Sequence, residues 1–246
     1  MNGAASAGAE PLLETRGLTM RFGGVVAVDS VDFILAPGEL RCLIGPNGAG
    51  KSTFFKMLTG QLVPSAGTVS YRGRSIAGLP PHAIARAGIG IKTQTPSVFD
   101  GLSIRENLWL AARRKNGARE AERVVDRVLD LIGHAGDVGR TVGTLAHGQR
   151  QWVEIGTVLC GEPDLILLDE PAAGMNHDEV GRSAEIVRAI NRSTSLIVVE
   201  HDMAFIRMIS DLITVFNQGS VLMEDRADAV MRDQRVRDVY LGRKAA

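Results

Sequence analysis

Eight consecutive residues, from Gly45 to Ser52, read Gly-Pro-Asn-Gly-Ala-Gly-Lys-Ser. The glycines let the backbone approach a ligand closely, and the final lysine and serine add one mobile cation and one hydroxyl. A chain of phosphates crowds negative charge into a small volume, and inward-facing N–H groups, a helix N-terminus and a lysine suit it. The spacing G-x-x-x-x-G-K-[ST] therefore predicts a loop that binds the phosphates of a nucleoside triphosphate.

The residues of this loop have separate expected tasks. Lys51 reaches the β- and γ-phosphates, and the Ser52 hydroxyl ligates Mg²⁺. The other expected contacts with the nucleotide come from Gly45, Pro46, Asn47, Gly48, Ala49, Gly50 and Thr53. The alternative is a glycine-rich turn with a chance lysine. It does not explain why an apolar stretch precedes the loop and a helical pattern follows it.

A second pair of candidate residues, Asp169 and Glu170, ends the apolar run from Leu165 to Leu168. A buried strand that ends in two carboxylates can place Asp169 in the Mg²⁺ shell and leave Glu170 to polarise an attacking water. The tripeptide Glu-His-Asp ends the next apolar run, so His201 should emerge at the same sheet edge, within reach of the γ-phosphate or the water. Acidic strand ends are common, but one that follows a phosphate loop predicts triphosphate hydrolysis.

A parallel sheet is the element that can bring these residues together. Leu40 to Ile44 predicts a short buried strand before the loop, and Ser52 to Leu58 predicts the start of a helix after it. The apolar runs Asp164 to Leu168 and Leu196 to Val199 have the length of strands and no alternation, which is typical of strands covered on both faces. We therefore expect an α/β fold with a parallel core sheet.

Two further regions flank the expected core. Val25 to Leu35 alternates apolar and polar residues, and with Thr68 to Tyr71 it predicts an antiparallel sheet beside the nucleotide. The helical pattern from Ile104 to Leu159 predicts an inserted helical lobe. Near the C terminus we expect a hairpin over 213–223 and then one amphipathic helix from Ala227 to Leu241.

Composition narrows the class of protein. The chain has 246 residues, 45% of them hydrophobic, which suits one α/β unit with a small lobe, and residues 1–11 predict a flexible tail. Lys plus Arg equal Asp plus Glu at 28 each, so no net field attracts nucleic acid or anionic lipid. The spacing of Cys42 and Cys160 predicts neither a disulfide framework nor a metal site, and two such cysteines suit a reducing cytoplasm. No apolar run approaches the ~18 residues that a membrane span needs. The histidines expected at the surface are His82, His134 and His177.

The segment Leu145-Ala146-His147-Gly148-Gln149 resembles the signature motif of ATP-binding-cassette (ABC) ATPases. The order of the motifs along the chain is also similar to that family, from Leu12 to Gly242. The resemblance implies a P-loop NTPase fold of the ABC type over residues 12–246, with ATP and Mg²⁺ as cofactors and ATP hydrolysis as the activity. It implies a nucleotide-binding core with an antiparallel β subdomain in 12–92 and 160–246, and a helical subdomain in 93–159.

The resemblance also implies roles for single residues. Phe22 would stack on adenine, and Gln94 would ligate Mg²⁺ and sense a membrane partner. Asp169 would hold Mg²⁺ through water, Glu170 would be the general base, and His201 would be the γ-phosphate switch. As alternatives, Phe22 could be a plain packing residue and Gln94 a loop amide.

The signature residues Ala146, His147, Gly148 and Gln149 precede or begin a predicted helix, whose N-terminal N–H groups suit a phosphate. In ABC proteins that phosphate belongs to the opposite subunit. Because this chain has one phosphate loop and one signature, the resemblance implies a second ABC ATPase subunit, either a copy of this chain or a close relative.

Subgroup features point to importers. Arg21-Phe22-Gly23-Gly24 and Ala172 to Asn176 resemble the branched-chain amino acid importers, whereas Gln94 to Phe99, His147-Gly148-Gln149 and Tyr240-Leu241-Gly242 look closer to the ATP-binding subunit of urea-type importers. The resemblance implies permease subunits as partners, a periplasmic solute-binding protein indirectly, no nucleic acid, and a place at the cytoplasmic face of the membrane. Urea, short amides and branched-chain amino acids all stay open as solutes.

Two other classes are weighed against a transport motor. A soluble ABC ATPase acting on ribosomes or DNA should have tandem cassettes, a long coiled-coil insertion or a basic arm, and the chain has none of these. A small-molecule kinase of the phosphate-loop class should have an acceptor lid and would leave the signature segment without an explanation.

Several residues depart from the wider family pattern. Ala146 lacks the usual serine hydroxyl, whose hydrogen bond to a charged phosphate is worth roughly 1.5–3 kcal/mol. His147 stands where glycine is usual, Asn176 replaces a common aspartate, and Ile91 and Thr93 stand where relatives often have arginine and an aromatic residue. We expect these departures to affect the rate of ATP hydrolysis more than the binding of ATP.

Overall fold

The computed structural model describes residues 10–94, 97–210 and 212–241. Its strands are, in chain order, β1 (Leu13–Phe22), β2 (Val25–Leu35), β3 (Leu40–Ile44), β4 (Ala66–Tyr71), β5 (Arg74–Ser75), β6 (Ile89–Lys92), β7 (Leu165–Asp169), β8 (Ser195–Val199), β9 (Leu212–Asn217) and β10 (Ser220–Arg226). Its α-helices are α1 (Lys51–Leu58), α2 (Pro81–Ala87), α3 (Ile104–Arg113), α4 (Ala118–Ile132), α5 (His147–Leu159), α6 (His177–Asn191), α7 (Met203–Ile209), α8 (Ala227–Arg232) and α9 (Gln234–Leu241).

The core is a six-stranded sheet in the order β10-β9-β3-β8-β7-β6. Strand β3 pairs in parallel with β8 and β9, and β7 pairs in parallel with β8 and β6. All residues of β3 and β8 are buried, including Arg41 and Ser195, as expected for largely apolar strands that are covered on both faces. The pairs Leu43 with Val199 and Asp169 with Val199 bring the carboxyl ends of β3, β7 and β8 to one edge of the sheet.

The second sheet is antiparallel, in the order β2-β1-β4-β5. Strand β1, which the sequence analysis did not identify, lies between β2 and β4 and pairs Leu13 with Leu35. Hydrogen bonds from Asp29 N to Gly219 O (2.8 Å) and from Gly219 N to Ala49 O (3.0 Å) join this sheet to the core. The expected antiparallel sheet therefore lies against the phosphate loop.

Helices α3, α4 and α5 form a separate apolar cluster, which we call the helical lobe. Its centre contains Leu108, Val125 and Val153, all fully buried. A capping box starts α3, because Ser103 Oγ accepts from Glu106 N (3.2 Å) and Glu106 Oε2 accepts from Ser103 N (2.7 Å). The segment 104–159, which has a helical sequence pattern, thus contains the three α-helices of the lobe. The limits of the helical subdomain, 93 and 159, stay predictions.

Two expectations are wrong. The single C-terminal helix is interrupted at Asp233, where α8 ends, because its carboxylate accepts hydrogen bonds from Arg235 N (2.8 Å) and Val236 N (3.4 Å) and caps α9 instead. His134 is not a surface residue, since it is only 2% exposed beneath the helical lobe.

No helix among the described residues is both long and apolar enough to cross a membrane. Residues 1–9, within the predicted tail, and Thr95, Pro96 and Gly242 lie outside the described residues.

Candidate nucleotide site

The phosphate loop crosses from β3 to α1, and the glycines at its two flanks, Gly45 and Gly50, leave no room for a side chain. A Cβ on Gly45 (φ 149°) would lie 2.3 Å from Phe216 O, and one on Gly50 (φ 103°) would lie 2.6 Å from Ala27 O. A Cβ on Gly48 would meet nothing within 4 Å. The two ends of the loop, at Gly45 and Gly50, are therefore packed against neighbouring backbone, whereas its middle, at Gly48, is open to a ligand.

The Lys51 side chain curls back over this loop. Its Nζ donates hydrogen bonds to Gly45 O at 2.5 Å and to Pro46 O at 3.0 Å. Burial lowers the pKa of Lys51, and the nearby charges of Glu170 and Asp169 act in the opposite direction. Phosphate oxygens would offer this ammonium charged acceptors in place of two carbonyls, so the residues present fit a triphosphate.

Asp169, the last residue of β7, has an unusual carboxylate. Within the described part of the chain, its Oδ1 is buried and has no hydrogen-bond partner. Burial and then the neighbouring charge of Glu170 raise the pKa of Asp169 to about 6. A bound cation would compensate such an orphaned oxygen, and the exposed Ser52 at the start of α1 offers a hydroxyl. A carboxylate, a hydroxyl and phosphate oxygens make a donor set that fits Mg²⁺.

Glu170 adopts a left-handed backbone conformation with φ 48°, which is rare for a residue with a side chain. A hydrogen bond from Glu170 N to Val199 O (2.9 Å) holds it there. Strain of this kind is stored where the surroundings impose it, and functional sites are the commonest place. The turn leaves Glu170 Oε1 at 3.5 Å from Nδ1 of His201, so the structure brings these two predicted residues together.

Glu200 is a site residue that sequence reasoning missed, although it lay inside the tripeptide that identified His201. It is 1% exposed. Its Oε1 accepts a hydrogen bond from Ala172 N (3.1 Å), and its Oε2 accepts from His201 N (2.9 Å) and Asp202 N (3.3 Å). Glu200 therefore joins the segment after Glu170 to the segment that carries His201. A carboxylate directly after a fully apolar strand was the available signal.

A buried ion pair was also missed. Lys92 Nζ lies 3.7 Å from Glu154 Oε2, and the two side chains are 2% and 1% exposed. Burial lowers the pKa of Lys92 and raises the pKa of Glu154. Because Lys92 ends β6 and Glu154 lies in α5, the pair ties the strand before Gln94 to the helix that follows the signature. Each charge interrupts an apolar pattern, which was the only signal in the sequence.

The signature residues are not brought to the phosphate loop of their own chain. Ala146 occupies the N-cap position of α5 without a side-chain hydrogen bond, His147 begins the helix, and His147 Nε2 donates to Ala173 O at 3.0 Å. A Cβ on Gly148 would lie 2.6 Å from the Glu179 carboxylate, and Gln149 Oε1 accepts from Ala146 N at 3.4 Å. Among the described residues, no hydrogen bond or ion pair joins this segment to the phosphate loop.

The last two predicted residues lie at the margin of the site. Phe22 ends β1 and is 48% exposed, and its stacking role stays a prediction. Gln94 is exposed just beyond β6, where the pairing of Lys92 with Leu168 puts it at the same sheet edge as Asp169. Its role toward Mg²⁺ also stays a prediction.

A parallel sheet that carries a phosphate loop and an acidic strand end to one edge, beside a helical lobe, is the architecture of ATP-binding cassettes. The structure is similar to the crystal structure of the ADP conformation of MJ1267, an ATP-binding cassette of an ABC transporter, with a TM-score of 0.84 and 25% identity, over 95% of this chain and 100% of that one. The family model described as ABC transporter matches residues 28–173. The chain belongs to this family and is an ABC ATPase.

Two curated relatives match over nearly their whole length. The chain is 36% identical to the high-affinity branched-chain amino acid transport ATP-binding protein LivG of Escherichia coli (strain K12), over 95% of this chain and 98% of LivG. It is 34% identical to the corresponding protein BraF of Pseudomonas aeruginosa, over 94% of this chain and 98% of BraF. The match therefore includes the helical lobe as well as the nucleotide site.

Proposed function

We propose that this chain is the ATP-hydrolysing motor subunit of a membrane importer. The observation that carries the proposal is the match with LivG over 95% of this chain and 98% of that protein, because it extends beyond the motifs common to all ABC ATPases. In the proposed assembly, two cassettes bind two ATP molecules between them, and hydrolysis reopens the pair. The helical subdomain, residues 93–159, moves against the core, residues 12–92 and 160–246.

The place of the signature supports the proposal of a second cassette. In one chain, His147 bonds to Ala173 and Gly148 packs against Glu179, and neither of these partners belongs to the phosphate loop. A second ABC ATPase subunit, either a copy or a relative, would place its signature N–H groups on the γ-phosphate held by Lys51. We therefore expect binding of ATP to drive dimerisation.

In the proposed mechanism, each residue near the γ-phosphate has one task. The loop N–H groups and Lys51 bind the phosphates, and Phe22 stacks on adenine. Glu170 orients water for in-line attack and accepts its proton, while His201, 3.5 Å from Glu170, contacts the γ-phosphate. Mg²⁺ held by Asp169, Ser52 and Gln94 would neutralise charge on the phosphate oxygens.

The permease subunits are proposed to dock near Gln94 and the helical lobe. Two large apolar side chains, Phe99 and Leu110, are exposed there at 63% and 42%. Exposed apolar groups of this size suit a protein partner better than water. Docking there would hold the chain at the cytoplasmic face of the membrane, and a periplasmic solute-binding protein would meet the permeases from the other side. We propose no nucleic-acid partner, because positive and negative charges balance at 28 each.

The test is a tagged pull-down from gently solubilised membranes, with the co-purifying proteins identified by mass. We expect two multi-span permeases and an ABC ATPase subunit. Ribosomal or DNA-associated proteins without a permease would refute the importer and favour a soluble ABC ATPase.

For the solute, we propose branched-chain amino acids, on the basis of LivG and BraF, with urea or short amides as the second candidate. The second rests on the likeness of His147-Gly148-Gln149 and Gln94 to Phe99 to urea-type subunits. Uptake of labelled leucine and labelled urea by cells with and without the gene distinguishes them. If cells without the gene lose uptake of only one of the two compounds, that compound represents the solute. If they keep uptake of both, both candidate solutes are excluded.

A further inference from the structure

The segment after Glu170, residues 171–174, is held at two points by distant side chains. Near its start, the buried Glu200 accepts a hydrogen bond from Ala172 N at 3.1 Å. Near its end, His147 Nε2 donates to Ala173 O at 3.0 Å. We call residues 171–174 the linking segment, because it joins the strand end at β8 to the signature at α5.

The shape of the linking segment leaves room for the imidazole. Gly174 has φ 73°, and a Cβ there would lie 3.3 Å from His147 Nε2 and 3.4 Å from Cδ2 of the same ring. Gln151 Nε2 also lies 3.5 Å from His147 Nε2, one turn along α5. A glycine in place of His147 would have no side chain with which to reach Ala173 O.

The linking segment is continuous with the strained turn at Glu170. Ala173 N donates to Glu170 O at 3.3 Å, so the residue whose carbonyl bonds to His147 also bonds to Glu170. Glu170 is held at φ 48°, so the backbone of this turn sets the direction of its carboxylate. Through Glu200, the same segment is bonded to His201 N (2.9 Å). His147 is thus two hydrogen bonds from Glu170.

On the basis of the function proposed above, we propose that His147 is a positioning residue that couples the two ATP sites of the assembled pair. The signature of each chain would complete the partner's site, whereas Glu170 serves its own. Engagement of the signature with the partner's ATP would move His147, and the bond to Ala173 would carry this movement to Glu170. The state of one site would then set the catalytic carboxylate of the other.

Hydrogen exchange on the nucleotide-free chain tests the contact without any turnover. We expect faster exchange in peptide 170–176 of His147→Gly. His147→Gln should resemble the parent chain, because its amide can donate from nearly the same place. His82→Gly is the matched control, since His82 is also an exposed histidine in the first turn of a helix. Equal exchange in the parent chain and in all variants would show that His147 does not stabilise the linking segment, and would overturn the proposal.

The coupling itself is measured by the dependence of ATP hydrolysis on ATP concentration in the complete complex. We expect a Hill coefficient clearly above about 1 for the parent chain, His147→Gln and His82→Gly, and about 1 for His147→Gly, together with a lower kcat. A parent chain without cooperativity, or a His147→Gly variant that keeps the parent's Hill coefficient, would overturn the coupling.

Sedimentation in Mg-ATP separates failure of the coupling from failure of the proposed function. Glu170→Gln and Glu170→Gln/His147→Gly should both form dimers. If Glu170→Gln stays monomeric, the shared ATP sites themselves are refuted. If it dimerises and the double variant does not, His147 binds the partner's nucleotide, and only the coupling role is refuted.

Discussion

The Glu170 carboxylate lies 3.5 Å from Nδ1 of His201, although the two residues follow different strands, β7 and β8. The closeness is produced by the left-handed turn at Glu170 and by its hydrogen bond to Val199 O. A carboxylate and an imidazole at this distance can share the positioning of one water molecule.

Replacement of Glu170 by glutamine should abolish ATP turnover and keep ATP affinity, because the amide preserves size and cannot accept the proton of water. Replacement of Lys51 by alanine should lower affinity instead, since the phosphates lose their cation. Titration with a fluorescent ATP analogue and a phosphate-release assay measure the two quantities. Equal loss of binding in both variants would contradict these roles.

Replacement of Glu200 by glutamine should lower kcat with little change in KM. An amide offers one acceptor oxygen where the carboxylate serves N–H groups of Ala172, His201 and Asp202, and each buried group left unpaired costs about 1–3 kcal/mol. Steady-state kinetics and thermal unfolding measure the effect. The control is Glu185→Gln, an exposed carboxylate on α6. A Glu200 variant that behaves like this control would show that the hydrogen bonds of Glu200 contribute neither to kcat nor to stability.

The Lys92–Glu154 pair should show strong coupling in a double-mutant cycle. Glu154→Met leaves the buried Lys92 without its carboxylate, which costs about 3–5 kcal/mol. Lys92→Met leaves the buried Glu154 with Arg150 Nε at 3.7 Å and should cost less. The double variant removes both buried charges and should recover much of the larger loss. Urea unfolding of the four proteins measures the cycle. Additive losses would mean that the two charges do not stabilise each other.

His134 should make the stability of the chain depend on mildly acidic pH. Burial lowers the pKa of His134, so the unfolded chain takes up a proton at a higher pH than the folded chain does. Its contribution is complete above the unfolded pKa of about 6.5 and is lost as the pH falls toward the folded value, with a slope of at most about 1.4 kcal/mol per pH unit.

Urea unfolding of the parent chain and His134→Gln between pH 7.5 and pH 5.5, a range of about one unit on each side of the free histidine pKa, measures this difference. The variant should lose less stability on acidification than the parent chain. His82→Gln, which removes an exposed histidine, should follow the parent. Parallel curves for the parent and His134→Gln would contradict the lowered pKa of His134.

Local patterns predicted much of the fold. Strands β2 and β3 have the expected bounds, Val25–Leu35 and Leu40–Ile44, because alternation and continuous apolar runs depend on which faces are buried. The pattern failed at Asp233, where one side chain caps α9 and ends the expected single helix. Asn176, which departs from the family pattern, also caps a helix: its Oδ1 accepts from Glu179 N at 3.0 Å, a task that asparagine performs as well as aspartate.

The sequence by itself determined which candidate residues meet at the sheet edge. A phosphate loop is read from contiguous residues, and Asp169, Glu170 and His201 reach the same edge because parallel strands end there together. Tertiary structure alone decided which groups hold these residues in place, namely Glu200 on Ala172 and His147 on Ala173. Such contacts join parts of the chain that are distant in sequence and depend on how helices pack on the sheet, so no local pattern contains them.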